Sequence, residues 1–251
     1  MKKIFWHLGR IFARLGGYKI ASSEVRIFKD MDAEFRPIYE SCAPFSMTSL
    51  ERMYALYKAV MYVIQAKIPG DFVECGVWKG GSAMIIAETL KALGVTDRNI
   101  YLYDTFEGMP EPDERDIKIR TGATGKSMWL GNQNSGGWCN ISIEEVTENV
   151  LKTGYPKERF VFVKGKVEDT IPKTIPNTIA ILRLDTDWYA STIHEFEHLY
   201  PLLSKGGVLM IDDYGSWSGS RDATDQYFKE HTISMYLHRV DMARVGIKSN
   251  A

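Results

Sequence analysis

From about residue 48 onward the chain alternates between two hydrophobic periods. After the N-cap candidates Thr48 and Ser49, the segment SLERMYALYKAVMYVIQAK places Met53, Leu56, Tyr57, Val60 and Ile64 at helical spacing, and Pro69-Gly70 closes it. DFVECGV then reads as a strand, SAMIIAETLKALG as a helix stopped by Gly94, and NIYLYDTF as a second strand. A polar, Gly-rich stretch runs from about Glu107 to Gly137. The pattern resumes with the helix SIEEVTENVLKTG, the strands RFVFVKG and TIAILRLD, the helix TIHEFEHLYPLL and the strand GGVLMIDDYG. Strands alternating with amphipathic helices predict an α/β fold, a largely parallel sheet with right-handed crossovers and helices on both faces. No internal repeat interrupts this series. In such sheets ligands bind outside the carboxyl ends of the strands, so strand ends are the place to look for chemistry.

The N-terminal segment has a different character. In MKKIFWHLGRIFARLGGYKI, Ile4, Phe5, Leu8, Ile11, Phe12 and Leu15 share one helical face, Lys3, His7, Arg10 and Arg14 lie opposite, and the first acidic residue is Glu24. Arg10 and Arg14 interrupt what would be the apolar core of a signal peptide, and no apolar run reaches the ~18 residues of a membrane span. The segment either packs its apolar face on the domain or a partner subunit, which is favoured, or lies on an anionic membrane surface. Pro37 and Pro44 mark a connector behind it. The expected organisation is a helix and cap segment over 1–48 and an α/β domain over 49–251.

Composition narrows the classes. A chain of 251 residues with 45% hydrophobic residues and a formal net charge of −1 holds one large core, and its charge balance argues against a nucleic-acid surface. Cys42, Cys75 and Cys139 show no C-x-x-C spacing, which fits a reducing cytoplasm, with the inner membrane surface as the place of any peripheral contact.

The strand ends deliver acid to one rim: Glu74-Cys75-Gly76, Asp104, Gly165 with Glu168-Asp169, Asp185-x-Asp187, and Asp212-Asp213. Any one of these carboxylates is as well explained as a helix N-cap. Several together repel one another unless cations or hydrogen-bond donors offset them. The turn ECGVWKGGS is neither a P-loop nor G-x-G-x-x-G. Paired with Asp104 at the end of the next strand, where a carboxylate can accept ribose hydroxyls, it points to a nucleoside-containing cofactor. Asp185, Asp212 and Asp213 offer oxygen ligands only, which suits Mg²⁺, Ca²⁺ or Mn²⁺ better than zinc. Adjacent Asp212 and Asp213 would point oppositely in a regular strand, so joint ligation requires the strand to end and bend there.

Two further motifs invite sharper readings. HEFEH, residues 194–198, matches H-E-x-x-H, but Pro201 limits the helix and Ser204 stands where a third histidine would sit. The segment also lies on a crossover helix, so solvated or helix-packing histidines are favoured over zinc. RTGATGKSMWLGNQNSGGWCN, residues 120–140, carries Met128, Trp129 and Trp138 in a long connection near the rim, and is read as an acceptor-binding lid rather than a plain surface loop.

Several long stretches occur in an order that resembles the macrocin O-methyltransferase (TylF) family: MTSLERMYALYKAV, IPGDFVECGVWKGGS, YDTFEGMPEP, FVKGKVEDTIP, ILRLDTDWYAST and LYPLLSKGGVLMIDDYGSW. The resemblance runs from about Met47 to Gly219. It implies a class I S-adenosylmethionine (SAM) methyltransferase fold, a mostly parallel seven-stranded sheet ending in an antiparallel hairpin. It also implies Mg²⁺-dependent methylation of a hydroxyl, commonly on a sugar of a natural product, by dimers or larger assemblies. On that resemblance Asp185, Asp212 and Asp213 are the metal ligands and Asp187 the general base. Glu74, Gly76 and Ser82 form the first SAM turn, Asp104 holds the ribose, Gly165, Val167 and Asp169 belong to the adenine pocket, Asp185 borders the cofactor, and Met47 and Thr48 close over SAM. The segment DTDWYAST departs from an expected DGDLYEST at Thr186 and Trp188, which bears on the acceptor. A nicotinamide-dependent oxidoreductase, a non-catalytic SAM-binding protein and a catechol or phenol O-methyltransferase are the rival classes.

Overall fold

A computed structural model of the chain describes residues 28–133 and 137–249. The amphipathic helix expected over residues 1–20 lies outside them. The chain divides into two compact units, 1–37 and 38–251, a boundary earlier than the expected one at 48/49. Helix α1 (Phe35–Cys42) begins at the end of the first unit.

In the second unit the α/β alternation is realised in order. Helix α2 (Leu50–Gln65) starts at Ser49, whose hydroxyl accepts a hydrogen bond from the Arg52 N–H at 3.3 Å. It buries Met53, Leu56, Tyr57, Val60 and Val63 and packs on α3 (Gly81–Ala92), which follows strand β1 (Asp71–Cys75). Strand β2 (Ile100–Asp104), helices α4 (Gly125–Gln133) and α5 (Ile143–Leu151), strand β3 (Phe160–Lys164) and the single turn α6 (Val167–Thr170) come next. Strand β4 (Ile179–Leu184), helix α7 (Tyr189–Leu199), strand β5 (Leu203–Ile211), helix α8 (Ser218–Glu230) and strands β6 (His238–Val240) and β7 (Ala243–Ile247) complete the unit.

The seven strands lie in the order β3-β2-β1-β4-β5-β7-β6, with β1 to β5 parallel, β7 antiparallel to β5, and β6 and β7 paired as a hairpin. The parallel part is the sheet the alternation predicts, and the seven strands with a closing hairpin are those the family resemblance implies. The strand order reverses between β1 and β4, so the carboxyl ends of these strands flank a crevice. Every residue of β4 is buried, as a central strand covered on both faces requires. Val73, Leu182, Phe196, Leu209 and Tyr227 meet in the core on one side.

Two elements differ from expectation. Part of the Gly-rich stretch is helical, as α4, with residues 134–136 outside the described ones. Helix α8 was not marked by periodicity because its face toward the core carries small and polar residues, Ser220, Ala223 and Thr224, with Tyr227 as its one large buried side chain. Among the described residues no helix is long and apolar enough to cross a membrane.

Candidate active site

A cavity of about 330 Å³ opens at the carboxyl edge of the sheet, within the usual range for small-molecule sites. One end is built from the β1–α3 turn. Gly76 adopts φ +84°, and a Cβ there would stand 2.1 Å from the Asp185 carbonyl oxygen, so only glycine lets this turn pass the end of β4. Asp104, ending β2, fastens the turn: its Oδ2 accepts the N–H groups of Val77 at 2.7 Å and Trp78 at 3.1 Å, and its Oδ1 accepts that of Phe106 at 2.8 Å. Glu74, Gly76, Ser82 and Asp104 all line the cavity, as do Met47 and Thr48 from the segment before α2 and Gly165 and Val167 after β3. Asp169 does not line it. Its neighbour Glu168 does, with Oε1 accepting from the Ser191 hydroxyl at 2.9 Å. Successive residues of the short α6 turn point about 100° apart, so only one of this acidic pair faces inward.

The other end is crowded with carboxylates around one guanidinium. Glu74 and Arg183 are register partners across β1 and β4, and Asp185, two residues beyond Arg183, shares its face. Arg183, 3% exposed, donates from Nη1 to Glu74 Oε1 at 2.8 Å and Asp185 Oδ2 at 2.7 Å, and from Nη2 to Asp212 Oδ1 at 2.8 Å. Arg52 of α2 donates to the second oxygen of Asp212 and pairs with Asp241 at 3.5 Å. The two guanidiniums thus pair with Glu74, Asp185, Asp212 and Asp241, and neighbouring Asp187 and Asp213 pair with neither. Burial, against the pull of Arg183, pushes Glu74 up to about 7. Burial together with Asp212 and Asp213 holds Asp185 well above the usual carboxylate range, and burial with Asp187 and Asp212 does the same to Asp213.

Because β5 ends at Ile211, Asp212 and Asp213 lie just past the strand, where the chain bends. Each of Asp185, Asp212 and Asp213 brings an oxygen within 4.8 Å of the other two, and Asp213 Oδ2 is buried with no hydrogen-bond donor. This donor set fits a hard divalent cation. Asp212 contributes least freely, since each of its oxygens already accepts from an arginine and has one lone pair left.

Asp187 is set apart by its backbone. It adopts φ +65°, and the Trp188 N–H donates to the Thr186 carbonyl at 2.7 Å, a tight three-residue turn that carries Asp187 out of the line of β4. Burial, reinforced by Asp185 and opposed by Asp213 and Lys118, pushes its carboxyl up to about 7. Thr186 donates its hydroxyl to the buried Glu195 at 3.0 Å, and Asp116 accepts the Tyr189 N–H at 2.9 Å, so the turn is tied on both sides. Beyond it stand three indoles. The Trp188 and Trp217 ring centroids are 4.9 Å apart, and Trp138 lies 5.8 Å from Trp188 and 6.0 Å from Trp217. Trp138 and Trp217 line the cavity, whereas Trp188 backs Trp217 and donates its Nε1–H to the Pro110 carbonyl at 3.0 Å.

Residues 23–248 match the macrocin-O-methyltransferase (TylF) family. The chain belongs to that family. It is 35% identical over 196 residues to the 8-demethyl-8-(2,3-dimethoxy-α-L-rhamnosyl)-tetracenomycin-C 4′-O-methyltransferase of Streptomyces olivaceus, covering 78% of this chain and 72% of that one. It is 31% identical over 206 residues to the mycinamicin III 3″-O-methyltransferase of Micromonospora griseorubida, covering 82% and 79%. The solved structure of the O-methyltransferase NovP superposes with a TM-score of 0.73 at 32% identity, over 82% of this chain and 83% of that one. The chain is therefore a SAM-dependent O-methyltransferase, which removes the nicotinamide-dependent and non-catalytic readings.

Several residues in the wall of this methyltransferase carry no local sequence signal. Arg52, Lys118 and Trp217 come from separate segments and meet only through the fold. Arg183 could have been found: a lone cation inside an otherwise apolar central strand needs buried acid beside it.

Proposed function

We propose that this methyltransferase moves a methyl group from SAM to a hydroxyl of a sugar in a glycoside, glycan or natural product, and that it needs Mg²⁺ to do so. The observation that carries the reading is Asp187, a carboxyl raised to about 7 and held in a left-handed turn beside the Asp185, Asp212 and Asp213 cluster, in the same cavity as the Gly76 turn. The relatives named for a 4′-O-methylation of a rhamnosyl tetracenomycin and a 3″-O-methylation of mycinamicin III support a sugar acceptor.

Glu74, Gly76, Ser82 and Asp104 hold the donor, with Met47 and Thr48 over it and Gly165 and Val167 at its adenine end, where Glu168 takes the position expected of Asp169. Asp185, Asp212 and Asp213 would hold Mg²⁺, which when bound lowers the pKa of the acceptor hydroxyl. Asp187 takes the hydroxyl proton, a task suited to a base whose pKa lies near neutrality. The acceptor oxygen forms its bond to the methyl carbon as the carbon–sulfur bond breaks and its electron pair passes to sulfur. Fixing both reactants in line supplies much of the acceleration. Trp138 and Trp217 receive the acceptor's apolar face.

Mass spectrometry of candidate glycosides incubated with SAM and Mg²⁺ tests the acceptor class: the expected product is heavier by one methylene, on a sugar hydroxyl located by NMR. Methylation confined to catechols would overturn it. Activity surviving EDTA and desalting would remove the Mg²⁺ requirement.

A further inference from the structure

We propose that His194, Glu197 and His198 form a second metal site, on the outer side of α7, that takes a borderline transition cation such as Zn²⁺. The three residues stand at i, i+3 and i+4, which stacks them on one helical face. Each brings a ligand atom within 4.8 Å of the other two, and the imidazole centroids are 4.4 Å apart. An independent contact orients the first ring. His194 Nε2 lies 3.0 Å from the Ile171 carbonyl oxygen. A carbonyl only accepts, so Nε2 carries the proton, and the lone pair of the neutral ring is on Nδ1. Metal-binding histidines are held this way, with the non-ligating N–H given to a carbonyl or carboxylate.

The site is not that of a zinc peptidase, although the residues fall within H-E-x-x-H. Glu195, the glutamate of that motif, is fully buried on the opposite face and accepts from Thr186, while the exposed Glu197 replaces it as the third ligand. Two nitrogens and one oxygen favour zinc over magnesium, whereas the oxygen-only cluster at the catalytic end has the reverse preference. The two sites thus sort cations by donor chemistry. Three protein ligands leave one position of a tetrahedral cation open to solvent.

The experiment is a Zn²⁺ titration of the untagged full chain, with Mg²⁺ in excess to fill the acidic cluster, followed by calorimetry. One zinc equivalent is expected. His194→Ala and His198→Ala should each weaken it by at least about 10-fold, Glu197→Gln should weaken it less, and Asp213→Asn should leave it unchanged. Circular dichroism identifies any variant that fails to fold, and Co²⁺ in place of Zn²⁺ should give the visible bands of a tetrahedral site that the histidine variants lose. Absence of zinc binding by the parent chain, undiminished binding in both histidine variants, or loss of the equivalent in Asp213→Asn would overturn the proposal.

Discussion

The two ends of the active-site cavity solve the same problem, how to keep carboxylate in a folded interior, in opposite ways. At the Gly76 end, one acid, Asp104, is met by three backbone N–H groups at 2.7, 3.1 and 2.8 Å. Those donors are fixed by the turn itself and are present whatever else is bound. At the Asp187 end, Arg183 and Arg52 pair with Glu74, Asp185 and Asp212, Asp187 and Asp213 crowd beside them without an arginine, and a buried oxygen of Asp213 is left without a donor. Asp104 is satisfied as folded. The second end carries surplus negative charge, which a cation and a transferable proton relieve. Donor binding should therefore be indifferent to divalent cation, and turnover should depend on it.

The largest expected effect separates the ends directly. Asp187→Asn should lower turnover by about 10²- to 10⁴-fold while leaving the Kd for SAM within about twofold by calorimetry; a near-normal rate would remove the base assignment. Next is the joint between the ends. Gly76→Ala places a Cβ against the Asp185 carbonyl at a left-handed position, which should cost about 1–3 kcal/mol in thermal unfolding and weaken SAM binding as well. A variant with unchanged Tm would mean that the two strand ends are less tightly joined than their geometry indicates.

A smaller effect is set by pH. Glu74 and Asp187 are raised from the ordinary 4.5 and 3.8 to about 7, so the folded chain holds these protons more tightly than the unfolded one does. Their contribution is fully present below the ordinary carboxylate range and is lost as pH rises through about 7. Without divalent cation, Tm should fall by roughly 5 °C between about pH 5 and about pH 8, and Mg²⁺ should reduce that fall. A metal-free Tm that rises over this window would contradict the picture of surplus charge. The same ionisation makes turnover climb through neutrality, since only the carboxylate form of Asp187 accepts a proton. The smallest effect is on the acceptor: Trp138→Ala should raise its KM about 5- to 10-fold, the equivalent of about 1–1.5 kcal/mol of aromatic contact, with the KM for SAM unchanged.

The parts legible in the chain are those governed by neighbours in sequence. Ser49 reads as an N-cap because its hydroxyl serves an amide three residues on, and TIAILRLD reads as a buried strand because both its faces are covered. Helix α8 shows no apolar stripe because it buries small polar residues, and α4 shows none because Gly125 and Gly131 lie within it. At Glu168-Asp169 the sequence marks acid at the strand end, yet which of the pair turns inward depends on the phase of one helical turn. For HEFEH the helix was evident, whereas the pairing of Glu197 rather than Glu195 with the histidines follows from which face of α7 meets the sheet.

By itself, then, the sequence determined the alternation of strands and helices, the glycine turn after β1 and the delivery of acid to the strand ends, because hydrophobic period, turn chemistry and capping act over a few residues. Only the tertiary structure decided that Arg183 pairs with three of those acids, that Arg52 reaches Asp212 across 160 positions of chain, and that Asp187 swings out of the β4 line. Register, burial and charge balance belong to groups brought together from distant segments, and no local pattern encodes them.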